Sequence, residues 1–269
     1  MSALSDYLEN KLLDHLLKNT AYAQDPTLYF GLFTADPGES GVTGELTIGT
    51  GAYARAAITN NNVNFPQCAS SGTPTKTNGA VIQFPTATTA WGTVTHWAIY
   101  SAASGATNML MHGALAMPRY IAIGDSPKIA AGALSITITN ATSGGLTEFA
   151  QRKLLDHVFG GPTYTPPATV YTGLGTSLSG EYISEWDESS YSRISTAFAT
   201  ASSGSTSNTA ALTFTTNVLD GTSTLNSFGI WDDPTAGNLL YVGPASTART
   251  VNNGDTANIA IGGMVPTLQ

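Results

Sequence analysis

Lys11-Leu12-Leu13-Asp14-His15 returns unchanged as Lys153-Leu154-Leu155-Asp156-His157, 142 positions further on. The same shift carries Tyr22 to Tyr164, Tyr29 to Tyr171 and Gly31-Leu32 to Gly173-Leu174. An identical pentamer with further identities at one offset marks a duplication, and the offset is about the size of one domain. Working outward, Tyr53-Ala54-Arg55 matches Tyr191-Ser192-Arg193, and His96-Trp97-Ala98-Ile99-Tyr100 matches Ser227-Phe228-Gly229-Ile230-Trp231. Gly124-Asp125 matches Gly254-Asp255, by which point the offset has shortened to 130. The missing residues fall opposite 36–50 and 60–77, stretches rich in Gly, Ser, Thr, Asn and Pro, where surface loops change length. A period this long is a duplicated domain rather than a solenoid. The expected division is residues 1–141 for the first repeat and 142–269 for the second.

Each repeat opens with a helical pattern. Leu4, Leu8, Leu12 and Leu16 form one apolar stripe, kept as Leu146, Ala150, Leu154 and Val158. Asn19 and Gly160-Gly161 are the expected helix ends. Strand-like runs follow at Thr27–Phe33, Ala52–Ile58, Ala80–Phe84, Val94–Tyr100, Asn108–Leu115 and Leu134–Thr139, with partners in the second copy. Within Leu134–Thr139, Leu134, Ile136 and Ile138 alternate with hydroxyl residues, as in a half-buried antiparallel strand. One helix and several short strands per repeat predict a mainly β protein. The expected architecture is two tandem antiparallel β-sandwich, jelly-roll-like domains, each with an N-terminal α-helix. The segment 140–145 is the expected linker.

Composition narrows the function. Charged residues make up 10% of the 269, against about 25% in ordinary soluble domains, and the hydrophobic fraction is 42%. That is a packed chain with hydroxyl-rich surfaces, not a disordered one. The net charge is −8 and Lys and Arg are scattered, so no grip on nucleic-acid phosphates is expected. No apolar run is long enough to span a membrane. The first six residues lack the pattern of a secretory signal peptide. Cys68 is the lone cysteine, so neither an internal disulfide nor a multi-cysteine metal site is expected.

The helix with its Lys-Leu-Leu-Asp-His run, then Tyr22 and Thr27–Pro37, resembles a family of tailed-phage structural proteins known as tail fibre or tail proteins. Gly51-x-Tyr53-x-Arg55, Phe84-Pro85-x-Ala87 and Trp91-Gly92-x-Val94 carry the same resemblance. It covers 4–139 closely and 146–269 more loosely, since the Trp91-Gly92 pair is missing from the second copy. The resemblance implies a virion component assembled in the host cytoplasm, with other virion proteins as partners. Duplication adds an expectation of homo-oligomers: three such chains would present six similar modules, so a trimer could match a three-fold to a six-fold neighbour. A capsid (head) decoration protein is the alternative location, and a glycan-binding receptor module the alternative class.

Catalytic chemistry finds little support. His15 and His157 stand at one position on equivalent helices, and the adjacent Asp14 and Asp156 cannot face them. They are expected to be structural. No H-E-x-x-H, P-loop or G-x-S-x-G element occurs. No catalytic residue, metal site or cofactor is therefore expected. Glu181, Glu185, Asp187 and Glu188 crowd one segment of the second repeat around Trp186, and Asp232-Asp233 lie in another. Trp186 with Glu185 and Asp187 is the candidate contact with a partner or a glycan, an aromatic beside carboxylates. Trp97 and Trp231, in apolar runs, are expected in the core or at a domain interface.

Overall fold

The computed structural model describes residues 2–268 apart from 40, 42, 106, 107, 139, 141–143, 189 and 216–221. Part of the expected linker, and Thr139 of an expected strand, lie outside the described residues. In the first repeat the elements are β1 (Ser2–Leu4), α1 (Asp6–Leu17), β2 (Thr27–Phe33), β3 (Ala56–Thr59), β4 (Lys76–Thr77) and β5 (Ile82–Gln83). They continue as β6 (Gly92–Tyr100), β7 (Met109–Ile121), β8 (Lys128–Ile129) and β9 (Ser135–Ile136). The second repeat has β10 (Gly145–Leu146), α2 (Glu148–Val158), β11 (Val170–Ser179), β12 (Tyr182–Glu185) and β13 (Ile194–Thr196). It ends with β14 (Leu212–Thr215), β15 (Ser223–Trp231), β16 (Leu239–Val251) and β17 (Thr256–Ile259).

Among the described residues the fold is mainly β, with antiparallel sheets and one α-helix per repeat. The main sheet of the first repeat has the order β1-β7-β6-β2-β3, and that of the second β10-β16-β15-β11-β12, with β13 also pairing β11. Since β13 pairs β11 as β3 pairs β2, the two sheets share one strand order. The ladder β5–β8 has its counterpart in β14–β17. Even the irregularities repeat. Register breaks between Val94 and His96, where 115–118 of β7 lie unpaired, and between Leu225 and Ser227, where 245–248 of β16 do. A bulge of this kind bends the strand and turns its far half outward. Accordingly β7 is buried over its first five residues and exposed over most of the remainder, and β16 is buried from its second to its fifth residue and then mostly exposed.

The helices begin later than the leucine stripe suggests. Leu4 and Leu146 are buried, but as strand residues paired to β7 and β16. Ser5 and Thr147 then start each helix: their hydroxyls accept the N–H of Leu8 and of Ala150, both at 3.3 Å. A hydroxyl at this position satisfies a backbone donor that has no partner within the helix. Asn19 ends α1 with φ 53°, and Thr20 N–H closes back on Asp14 O at 3.1 Å, the left-handed helix stop. Gly160 takes the same role after α2, with φ 69°.

Packing divides the chain differently from the repeats. The first compact unit comprises 1–8, 23–138 and 154–164; the second comprises 9–22, 139–153 and 165–269. Each unit is thus one repeat whose helix tail comes from the other. In the first unit, Asp156 accepts the N–H of Cys68 at 2.9 Å and pairs with Lys76 Nζ at 2.7 Å. Asn60 Nδ2 donates to Val158 O at 2.8 Å, and the Phe159 ring lies 6.1 Å from that of Phe65. In the second unit, Asp14 accepts the N–H of Ala201 at 2.8 Å, Asn10 accepts that of Gly204 at 3.0 Å, and Lys18 reaches the Thr200 hydroxyl. Leu8, Leu12, Leu13 and Leu16 on α1, and Ala150, Leu154 and Leu155 on α2, are buried. The aspartate of the repeated pentamer makes contacts of this kind in both units.

Candidate functional site

The acidic segment around Trp186 is built on the edge strand β12. Glu185 receives Arg193 side-on, with Nε to Oε1 at 2.8 Å and Nη2 to Oε2 at 2.7 Å. A planar fork on a carboxylate is the geometry guanidinium chemistry favours. The Tyr191 hydroxyl donates to Glu185 Oε1 at 3.0 Å and accepts the N–H of Leu174 at 2.8 Å. Arg193 lies 4.0 Å over the ring of Trp231 and donates to the carbonyls of Asp233 and Ala236. One guanidinium therefore ties β12, β13 and the turn after β15 together.

The first repeat contains the same construction. Arg55 Nε and Nη2 both meet Glu45 at 2.7 Å, and its ring partner is Tyr100 at 3.4 Å. The Tyr53 hydroxyl donates to Glu45 at 3.3 Å and accepts the N–H of Leu32 at 2.8 Å. Arg55 also donates to the carbonyls of Ala102 and Gly105. Burial is the main force on the phenols: it pushes Tyr53 and Tyr191 well above the usual tyrosine range, and Tyr100 up to about 12.

Of the three residues singled out, only Asp187 is exposed. Trp186 is 2% exposed, its ring 5.4 Å from that of Tyr191, and its backbone N–H pairs with Leu174 O. Its flanking acids suggested a surface position; the indole instead turns inward. Glu185 is committed to Arg193 and Tyr191. Sequence comparison missed that Glu185 has a counterpart, because the carboxylate stands six residues before Tyr191 but eight before Tyr53.

Several other ionisable groups are also engaged locally. Glu181 accepts from Glu148 N–H and from Gln151 and Asn140 side chains, and burial raises its carboxyl above the ordinary value. A carboxylate there also offsets the positive start of α2. Asp233 is held low by the backbone N–H groups of Ala236 and Thr235. His15 and His157 are buried, each accepting a backbone N–H through Nδ1 at 3.1 Å, from Tyr22 and Tyr164. Trp97 and Trp231 are buried. His112 lies 3.2 Å from Asp36 and 3.5 Å from Glu39. Among the described residues no group of three or more His, Cys, Asp or Glu is placed to hold a metal ion.

A cavity of about 600 Å³ opens in the second unit, lined by Leu225, Phe228, Thr247, Arg249, Asn258 and Ile259 among others. Its lining includes none of Glu185, Trp186 and Asp187. Asp255 at its rim accepts the N–H of Asn252 in its own turn at 2.9 Å. Apart from Arg249 and Asp255, the lining is made of hydroxyl, amide, aliphatic and aromatic groups.

What these networks do is brace two copies of one sheet. The model of one protein family, described as podophage GP4 fiber I protein gp80, matches residues 3–137 and again 145–267. The chain belongs to that family. It carries the family unit twice, and the two matched segments are the two repeats read from the pentamer. No curated protein matches the chain. Membership makes it a phage structural protein of the fibre type, and so a component of the virion. Among the described residues no helix is long and apolar enough to cross a membrane.

Proposed function

We propose that the chain is a non-enzymatic building block of a tailed-phage virion, a tail fibre or tail-associated subunit that works through protein–protein contacts. The observation that carries this reading is the match of a podophage fibre family to both repeats, covering nearly the whole chain. The use of the charged groups supports it. Arg55, Lys76, Arg152 and Arg193 are each paired to a carboxylate within a unit. Side chains so engaged hold a shape and leave little for acid–base chemistry.

The partners are other virion proteins and further copies of the chain, with a trimer as the form that would join three-fold and six-fold neighbours. Met117, Tyr120 and Ile123 lie within seven residues of each other and are 64%, 65% and 70% exposed. Exposed apolar side chains at this density supply contact area. The matching positions of the second repeat hold Thr247, Thr250 and Asn253, so the two modules would offer different surfaces.

Gold-labelled antibody against the chain, applied to purified virions and viewed by electron microscopy, tests the location. Label on the tail is expected. Label spread over the head lattice would transfer the chain to capsid decoration, and absence from virions would overturn the structural role.

A further inference from the structure

We propose that each repeat carries a docking socket for the Leu-Leu-Asp-His end of another repeat's helix, so that the partner this surface fits is a second copy of the same module. The chain is then a pair of modules held together by reciprocal docking, with the peptide link between them dispensable for the pairing.

Three observations combine. First, the docked tail in each unit belongs to the other repeat: 154–164 completes the first, 9–22 the second. Second, the two tails carry the same pentamer and use it in the same way. The aspartate turns to the socket and accepts a backbone N–H, from Cys68 in one and Ala201 in the other. The neighbouring histidine turns away and fixes the chain that leaves the helix, through Tyr22 or Tyr164 N–H. This division of labour explains why Asp and His must sit side by side in both copies. Third, tail and socket approach too closely for added bulk. A Cβ on Gly160 of the first tail would collide with Asn61 O of its socket, and one on Gly204 of the second socket would collide with the Glu9 carboxylate of its tail. Exchange of an identical element between like modules is a low-cost route to a closed pair, since either helix presents the same pentamer to a socket.

The socket of the first repeat is the stronger. Lys76, with no exposed side-chain surface, meets Asp156, and the second socket has Thr206 at the matching position. Because Asp14 stands in an identical pentamer, the helix of either repeat presents the carboxylate that Lys76 requires.

The test uses the whole chain with a specific protease site placed at 141–143, cut after purification. Native mass spectrometry and thermal melting then read the product. One species with the mass of the uncut chain, melting within a few degrees of it, is expected. Two fragments that separate after cutting, folded or not, would overturn the proposal. A second sample carries Asp14→Ala and Asp156→Ala before cutting, with circular dichroism of the uncut variant confirming that it folds. Its cut fragments are expected to dissociate at least tenfold more readily than the parent's, by dilution series. Equal dissociation would show that the pentamer is not the docking element and would also overturn it.

Discussion

The two helix tails are the same five residues in two different settings. Around Asp156 the first unit places a buried lysine, a backbone N–H and a phenylalanine pair. Around Asp14 the second unit places backbone N–H and a threonine hydroxyl reached by Lys18. An identical sequence therefore faces an ionic socket on one side and a neutral, polar one on the other. The difference teaches that the helix is the fixed part of this module and the receiving loop the part free to diverge. The receiving loops, 60–77 and its shorter counterpart, are one of the two places where the repeats differ in length.

The largest consequence should come from the ionic socket. Lys76→Ala leaves a carboxylate buried without its partner, a change that costs about 3–5 kcal/mol in such settings. Asp14→Ala removes only the acceptor of one N–H and should cost about 1–3 kcal/mol. Urea unfolding of both variants checks the order; equal losses would mean that the lysine contributes nothing specific. The guanidinium networks sharpen the comparison. The Arg55 side chain is 1% exposed and that of Arg193 10%, so Arg55→Ala should lower the melting temperature more than Arg193→Ala. Burial within both networks also holds phenols protonated. The unfolded chain releases those protons near pH 10, whereas the folded protein keeps that of Tyr100 until about 12 and those of Tyr53 and Tyr191 longer. The stability they contribute is complete below pH 10 and declines as pH rises through the folded values. Denaturant midpoints measured from pH 9 to 12 should fall, and Tyr100→Phe should make that fall shallower.

Much of this was legible in the chain. The pentamer gave the repeat, and the apolar, aromatic and β-branched composition of runs such as Val94–Tyr100 gave the strands. Thr27–Phe33 forms β2 with the expected ends. Partner choice was not legible. A leucine stripe shows that one face of a helix is buried but not which sheet covers it, so the exchange of tails leaves no mark in periodicity. Leu4 continued the stripe by spacing while its backbone belongs to a strand, because Ser5 caps the helix after it. Trp186 looked exposed among acids, yet Glu185 faces Arg193 and Glu181 the start of α2. The two-residue strands β4 and β8 fall below the length at which a pattern can be read, although their partners β9 and β5 lie inside runs that show one.

Amide hydrogen exchange on the intact chain tests the crossing of the helix tails most directly. Asp156→Ala should speed exchange at 56–77 in the first repeat and leave 194–209 protected. Asp14→Ala should do the reverse, exposing 194–209 and sparing 56–77. If each substitution instead loosened the loops of its own repeat, the helices would be packing at home and the exchange of tails would be contradicted.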